Sequence, residues 1–220
     1  MATARAPRRK PAPPPRTRLD VDERRAQLLA LGGTFFTRQA YDEVSIDDVA
    51  KAAGISKGLL YHYFPTKRDF YVAVIEQSAR RLLEMTRAPD AGSPMDRLRA
   101  GLDGYLRYVQ ENGPAYAALL RGGIGNDAAV GRIVEDTRKR FIKRLLADVG
   151  VEQPGPRLRA ALRGWLGFVE ATAVDHVDHQ DVDLGVLREM LVEMLLTAVR
   201  FAMTGPQAAG SNGWTPLVAG

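Results

Sequence analysis

The sequence predicts an all-α protein. Apolar residues recur with a period near 3.6 along the chain, and no stretch alternates apolar with polar as a half-buried strand does. Helix punctuation agrees: Ser, Thr or Asp stands before the periodic runs, and Gly or Pro behind them. Residues 1–19 are rich in Pro, Ala and Arg, and Pro11, Pro13, Pro14 and Pro15 favour an extended, solvated chain, so a disordered basic arm is expected there. From Asp20 the pattern turns helical. Asp20 and Glu23 have capping-box spacing, and Leu28, Leu29, Leu31, Phe35 and Phe36 form an apolar stripe ending near Gln39. A short helix follows in SIDDVAKAA, with Ser45 as cap, Asp47 and Asp48 at the positive end of its dipole, and Ile46, Val49, Ala50 and Ala53 inward. Gly54 stops it. Ser56 caps a third helix through Phe64, Pro65 breaks the chain, and Thr66 caps a fourth helix that runs to about Thr86. After the turn APDAGSP, further helices are expected over 95–111, 114–122, 128–149, 156–178 and 184–204. The tail 205–220 returns to Gly, Pro and small residues and is expected to be disordered.

Composition narrows the function. At 220 residues and 45% apolar content, the chain has enough apolar material for a substantial core. No uninterrupted apolar run is long enough to span a membrane, and the charged N-terminus lacks the apolar segment of a secretory signal, so a cytoplasmic location and no membrane partner are expected. The absence of cysteine removes disulfides, thiolate metal sites and cysteine nucleophiles. Charge is unevenly spread. Residues 1–70 hold 13 basic against 8 acidic side chains, whereas the remainder balances 18 against 18. A basic portion beside a neutral one suits a polyanion, although six of those basic residues lie in the arm, where a solubility tail is the alternative.

Ser45 to Phe64 carries the most information. Two short helices meet at Gly54, Ile55 and Ser56: a residue free to adopt the left-handed conformation, an apolar plug for the interhelical angle, and a cap for the second helix. In that second helix Leu60 and Phe64 point inward, leaving Lys57, Gly58, Tyr61 and His62 outside. A cation, a small residue and two hydrogen-bonding aromatics suit entry into a DNA major groove.

Residues 24–76, and above all GISKGLLYHYFPTK, resemble the tetracycline-repressor (TetR) family of regulators. The resemblance implies an N-terminal three-helix DNA-binding domain with a helix-turn-helix (20–66), a linking fourth helix (67–88), and a helical effector-binding and dimerisation domain (89–204). It also implies that Lys57, Gly58, Tyr61 and His62 face base edges, with Leu59 in the DNA-facing set, while Ser45, Ser56, Tyr63, Thr66 and Lys67 contact or position phosphates. Double-stranded operator DNA and a second copy of the chain are the implied partners. Two features depart from the pattern. Ala40 stands where the family usually has Gly, and Gly32 and Gly33 lie inside helix one, where each costs up to about 1 kcal/mol relative to Ala.

Beyond residue 80 only helix order and length match. The last helix carries Leu187, Met190, Leu191, Met194, Leu195 and Ala198, an apolar face broad enough for both a core and a partner. Ala160, Gly164, Gly167 and Ala171 on the preceding helix permit close approach, so these ten residues are the expected dimer interface. An effector pocket is expected from Tyr105, Tyr108, Tyr116, Leu119, Leu120, Phe141, Trp165, Phe168, Val169 and Thr172, an apolar set with a few hydroxyls that suits a hydrophobic small molecule. A strongly charged effector is disfavoured on the expectation that Arg and Lys here occupy solvated faces. The run Asp175, His176, Asp178, His179, Asp181 and Asp183 has metal-capable side chains, but it ends a helix and enters a loop where Asp183 can cap the next. No metal and no cofactor are expected.

These readings favour a repressor that binds an inverted repeat as a dimer and is released by its effector. Activation is the near variant, and a non-specific architectural role the more distant one. An enzyme is not expected, because no nucleophile elbow, phosphate loop or paired-carboxylate motif is present.

Overall fold

The computed structural model describes residues 20–39, 41–89, 91–122 and 127–204, which form eight helices and no strand. The expected arm, Ala40 and the expected tail lie outside the described residues. Capping decides where the helices begin. Asp20 and Glu23 form a reciprocal capping box ahead of α1 (Val21–Arg38), and Ser45 accepts from the Asp48 amide to open α2 (Ile46–Ala52). Ser56 opens α3 (Lys57–Tyr63) and Thr66 opens α4 (Lys67–Met85) in the same way. Ser93 and Asp96 box the start of α5 (Pro94–Leu120), Asp127 caps α6 (Ala128–Asp148), α7 (Pro156–His179) starts at a proline, and Asp183 caps α8 (Leu184–Met203).

Helices α1 to α3 and the first half of α4 enclose one core, with Leu28, Val49, Leu60 and Phe70 fully buried. Gly32 lets α1 and α4 approach: a methyl group there would lie 2.5 Å from Phe70 Cζ and 2.6 Å from Val74 Cγ2. Helices α5 to α8 and the second half of α4 enclose a second core containing Leu106, Leu162, Leu191 and Leu195. Because α4 contributes Phe70 and Val74 to one core and Leu82 to the other, it is the beam shared by both.

Two expectations are corrected. The sequence suggests a break between 111 and 114, but α5 continues through Gly113 and Pro114. Proline 114 leaves the Gln110 carbonyl without its helical donor, yet Gln110 is exposed and water can serve it. On either side of the proline, Val109 and Tyr116 are buried in one core, so continuing the helix retains apolar burial that a break would forfeit. The second correction concerns the expected interface. Leu187, Leu191 and Leu195 are at most 4% exposed and belong to the subunit's own core, so they have no surface to offer a partner. Met190 and Met194 lie outside, at 39% and 43% exposure, with Val186 and Phe201 also exposed on α8. Ala160, Gly164, Gly167 and Ala171 are exposed along α7, and Ala198 is half-buried.

Candidate DNA interface and effector cavity

The turn between α2 and α3 is closed by local hydrogen bonds. Gly54 adopts φ +67°, the Gly54 amide donates to the Lys51 carbonyl, and the Ile55 amide donates to the Ala50 carbonyl, each at 3.0 Å. This pair of hydrogen bonds to the last turn is the Schellman arrangement, and it turns the chain so that Ser56 can cap α3 through the Leu59 amide at 3.2 Å. Leu60 and Phe64 are buried and seat α3 on the core. Lys57, Gly58, Leu59 and His62 are exposed, and Tyr61 and Tyr63 are half-buried at the edge. A methyl group on Gly58 would meet nothing of the chain nearer than Ser56 Oγ at 4.0 Å, so the fold does not require glycine there.

The cations around α3 are held in place. Lys57 Nζ donates to Asp47 Oδ2 at 2.8 Å, and this bond raises the ammonium above its ordinary pKa. Lys67 Nζ donates to the Asp42 carbonyl at 3.1 Å and lies 4.8 Å from the centre of the Tyr41 ring. Thr66 Oγ1 accepts from the Asp69 amide and donates to the Asp69 carboxylate. Ser45, Ser56 and Thr66 therefore act first as helix caps. Tyr41 is a neighbour that the sequence reading did not single out, since its role comes from packing against Phe36 and Tyr71.

A cavity of about 420 Å³ opens in the second core. Tyr105, Tyr108, Tyr116, Leu119, Leu120, Phe141, Trp165 and Val169 line it, as expected. Phe168 and Thr172 do not. Phe168 is half-buried and packs against the core instead, and Thr172, also half-buried, lies outside the lining. The α4 wall of Ile75, Ser78, Ala79 and Leu82 was not expected from the sequence, and of the arginines expected on solvated faces Arg97 and Arg138 are half-buried in the cavity wall, while Arg87 and Arg144 line the cavity and remain exposed. Arg138 makes a two-point pair with Glu170 at 2.7 and 2.5 Å. Tyr105 and Tyr116 share a hydrogen bond of 2.8 Å, and burial pushes both phenols well above their ordinary pKa, so they stay protonated. The Trp165 indole donates to the Leu191 carbonyl.

Four of the six metal-capable side chains are otherwise engaged, while the buried Nδ1 of His176 has no hydrogen-bond partner among the described residues. His179 pairs with Asp175, Asp178 with Arg121, and Asp183 caps α8. Among the described residues no three His, Asp or Glu side chains come together as a metal site, and no helix is long and apolar enough to cross a membrane.

A helix-turn-helix with an outward recognition helix, joined by a shared helix to a cavity-bearing helical domain, defines a DNA-binding regulator with a sensory domain. Residues 28–74 match the model of bacterial regulatory proteins of the tetR family, and residues 94–198 match a tetracyclin repressor-like C-terminal domain. The chain belongs to the tetR family and is a transcriptional regulator. It is 30% identical over 157 residues to the regulator BetI of Stenotrophomonas maltophilia, covering 67% of this chain and 78% of that one. Over 105 residues it is also 30% identical to the transcriptional activator FasR of Mycolicibacterium smegmatis, spanning 47% of this chain and about half, 48%, of that protein. The crystal structure of a tetR-family regulator from Streptomyces coelicolor superposes with a TM-score of 0.83 at 31% identity, covering 91% of this chain and 90% of the other.

Proposed function

We propose that the chain is a repressor that binds an inverted-repeat operator as a dimer and is released when a small molecule with an apolar body fills the cavity. The observation that carries this reading is the double duty of α4. Its first residues adjoin the recognition helix, and Ile75, Ser78, Ala79 and Leu82 further along form a wall of the cavity. A ligand that displaces this wall also displaces the base of the DNA-binding unit. In a dimer the two α3 helices must reach successive major grooves about 34–36 Å apart, so a small shift of each unit breaks the match. Lys57, Gly58, Leu59, Tyr61 and His62 are the residues we assign to the groove, with Tyr63, Thr66 and Lys67 beside the backbone. The exposed α7 stripe and the outer face of α8 form the dimer surface.

Selecting duplexes from a random pool with the full-length protein should return an inverted repeat. Tyr61→Ala should weaken binding to that duplex about tenfold or more, the scale of losing one specific base contact. Enrichment of no sequence above background, or full affinity in Tyr61→Ala, would overturn the docking model. A promoter fusion carrying the selected site separates repression from activation by the sign of its response.

A further inference from the structure

The cavity has two unlike ends. Arg97, at the start of α5, bonds Asp148, at the end of α6, so these two helices run past each other in opposite directions. At that end Arg87, Arg97 and Arg144 line the opening. At the other end lie Ile75, Leu119 and Ile133, all apolar, which belong to or pack against the core of the DNA-binding unit. Between the two ends the polar groups satisfy one another: Arg138 with Glu170, and Tyr105 with Tyr116.

Among the described residues, charge at the arginine end is not balanced. Arg97 is paired with Asp148, but Arg144 donates only to the Leu83 carbonyl, and Arg87 makes no side-chain hydrogen bond or ion pair with the described residues. The C-termini of α4 and α6 lie here too and contribute about −0.5 charge each, partly offset by the N-terminus of α5. Two guanidinium groups without carboxylate partners outweigh them. Burial, together with the neighbouring Arg87 and Arg140, lowers the pKa of Arg144, as expected for a cation lacking a counter-charge.

We propose that the effector is an anionic amphiphile, its carboxylate or phosphate head held by Arg87 and Arg144 and its unbranched apolar tail reaching Ile75, Leu119 and Ile133. This proposal rests on the reading of the cavity as an effector site. From Ile133 to Arg144 is three turns of α6, about 16 Å. An extended carbon chain with bonds and angles like those of the peptide backbone covers that span with about 13 carbons. The tail end touches the residues that join the cavity to the DNA-binding core, so tail length determines whether the ligand presses on that core. A short homologue anchored by the same head stops short of it.

Calorimetric titration of the full-length protein tests the idea with tetradecanoate, tetradecyl phosphate, tetradecanol and octanoate, alongside displacement from the selected duplex. Tetradecanoate or tetradecyl phosphate should bind about tenfold or more tighter than tetradecanol, with Arg87→Glu removing most of that advantage. Preference for the acid identifies a carboxylate head, and preference for the phosphate ester a phosphate head. Octanoate should bind weakly and leave the duplex bound. Equal affinity for tetradecanol and tetradecanoate, or an Arg87→Glu protein that still favours the anion, overturns the anionic head yet leaves an apolar effector standing. Tight binding of these probes without release of the duplex instead overturns the release reading of the cavity.

Discussion

Gly32 and Gly33 adjoin in α1, and a methyl group would have opposite effects at the two positions. At Gly32 it would press on Phe70 and Val74, whereas at Gly33 nothing lies within 4 Å. Gly32→Ala should therefore destabilise the protein by about 1–3 kcal/mol through overpacking, while Gly33→Ala should stabilise it by about 0.5–1 kcal/mol through the better helix former. Urea denaturation of the two variants checks this, and shifts of equal sign would refute the close-approach account of Gly32. In the sequence both glycines read only as local helix costs. The difference between them is a contact with α4, some forty residues away, that no local pattern records. The outward residues of α3 contrast with this: Gly54, Ser56 and Leu60 orient them through bonds and spacing within two turns, so their arrangement was legible.

At the scale of elements, α4 and α6 are tied by Arg68 and Asp127. Arg68 donates to both carboxylate oxygens of Asp127, at 2.6 and 2.9 Å, while the same carboxylate caps α6 through the Ala129 and Val130 amides. The Arg68 bond, aided by those amides, holds the Asp127 carboxyl below its ordinary pKa of 3.8. A carboxylate with a lowered folded pKa contributes its stabilisation in full above the unfolded value and loses it as pH falls through the folded one. Asn is as good a cap as Asp, so Asp127→Asn removes the charge pair and keeps the cap. The variant should melt below the wild type at neutral pH, and the gap should close as pH falls below 3.8. A gap that stays constant to lower pH would show that the pair contributes nothing through ionisation. The sequence predicted a helix from about residue 128, but neither the Asp127 cap nor its meeting with Arg68. In α5 the Gly113–Pro114 pair was a sound reason to expect a break, and burial on either side overruled it.

For the whole molecule, the exposed α7 stripe and the outer residues of α8 set one surface apart from the core behind it. Gly167→Glu and Met194→Asp should shift the protein from dimer to monomer in light scattering and weaken operator binding, because one recognition unit loses the local concentration supplied by its partner. Leu191→Ala acts differently. It should cost about 2–5 kcal/mol of stability by opening a cavity inside the subunit, whatever the state of association. If Gly167→Glu and Met194→Asp remain dimeric, the interface lies elsewhere.

The sequence alone determined the helical class, the caps at Asp20, Ser45, Ser56, Thr66 and Asp183, the turn at Gly54 and the outward set on α3, because each depends on residues within a turn or two of one another. Tertiary structure decided which side of a broad apolar helix faces inward. Leu187, Leu191 and Leu195 went to the core, and Met190 and Met194 to the surface. It also removed Phe168 and Thr172 from the cavity wall and set Arg87, Arg97, Arg138 and Arg144 into it. Such choices follow from the summed burial of side chains that meet across long stretches of chain. Helical periodicity fixes a face, but only packing partners fix where that face turns.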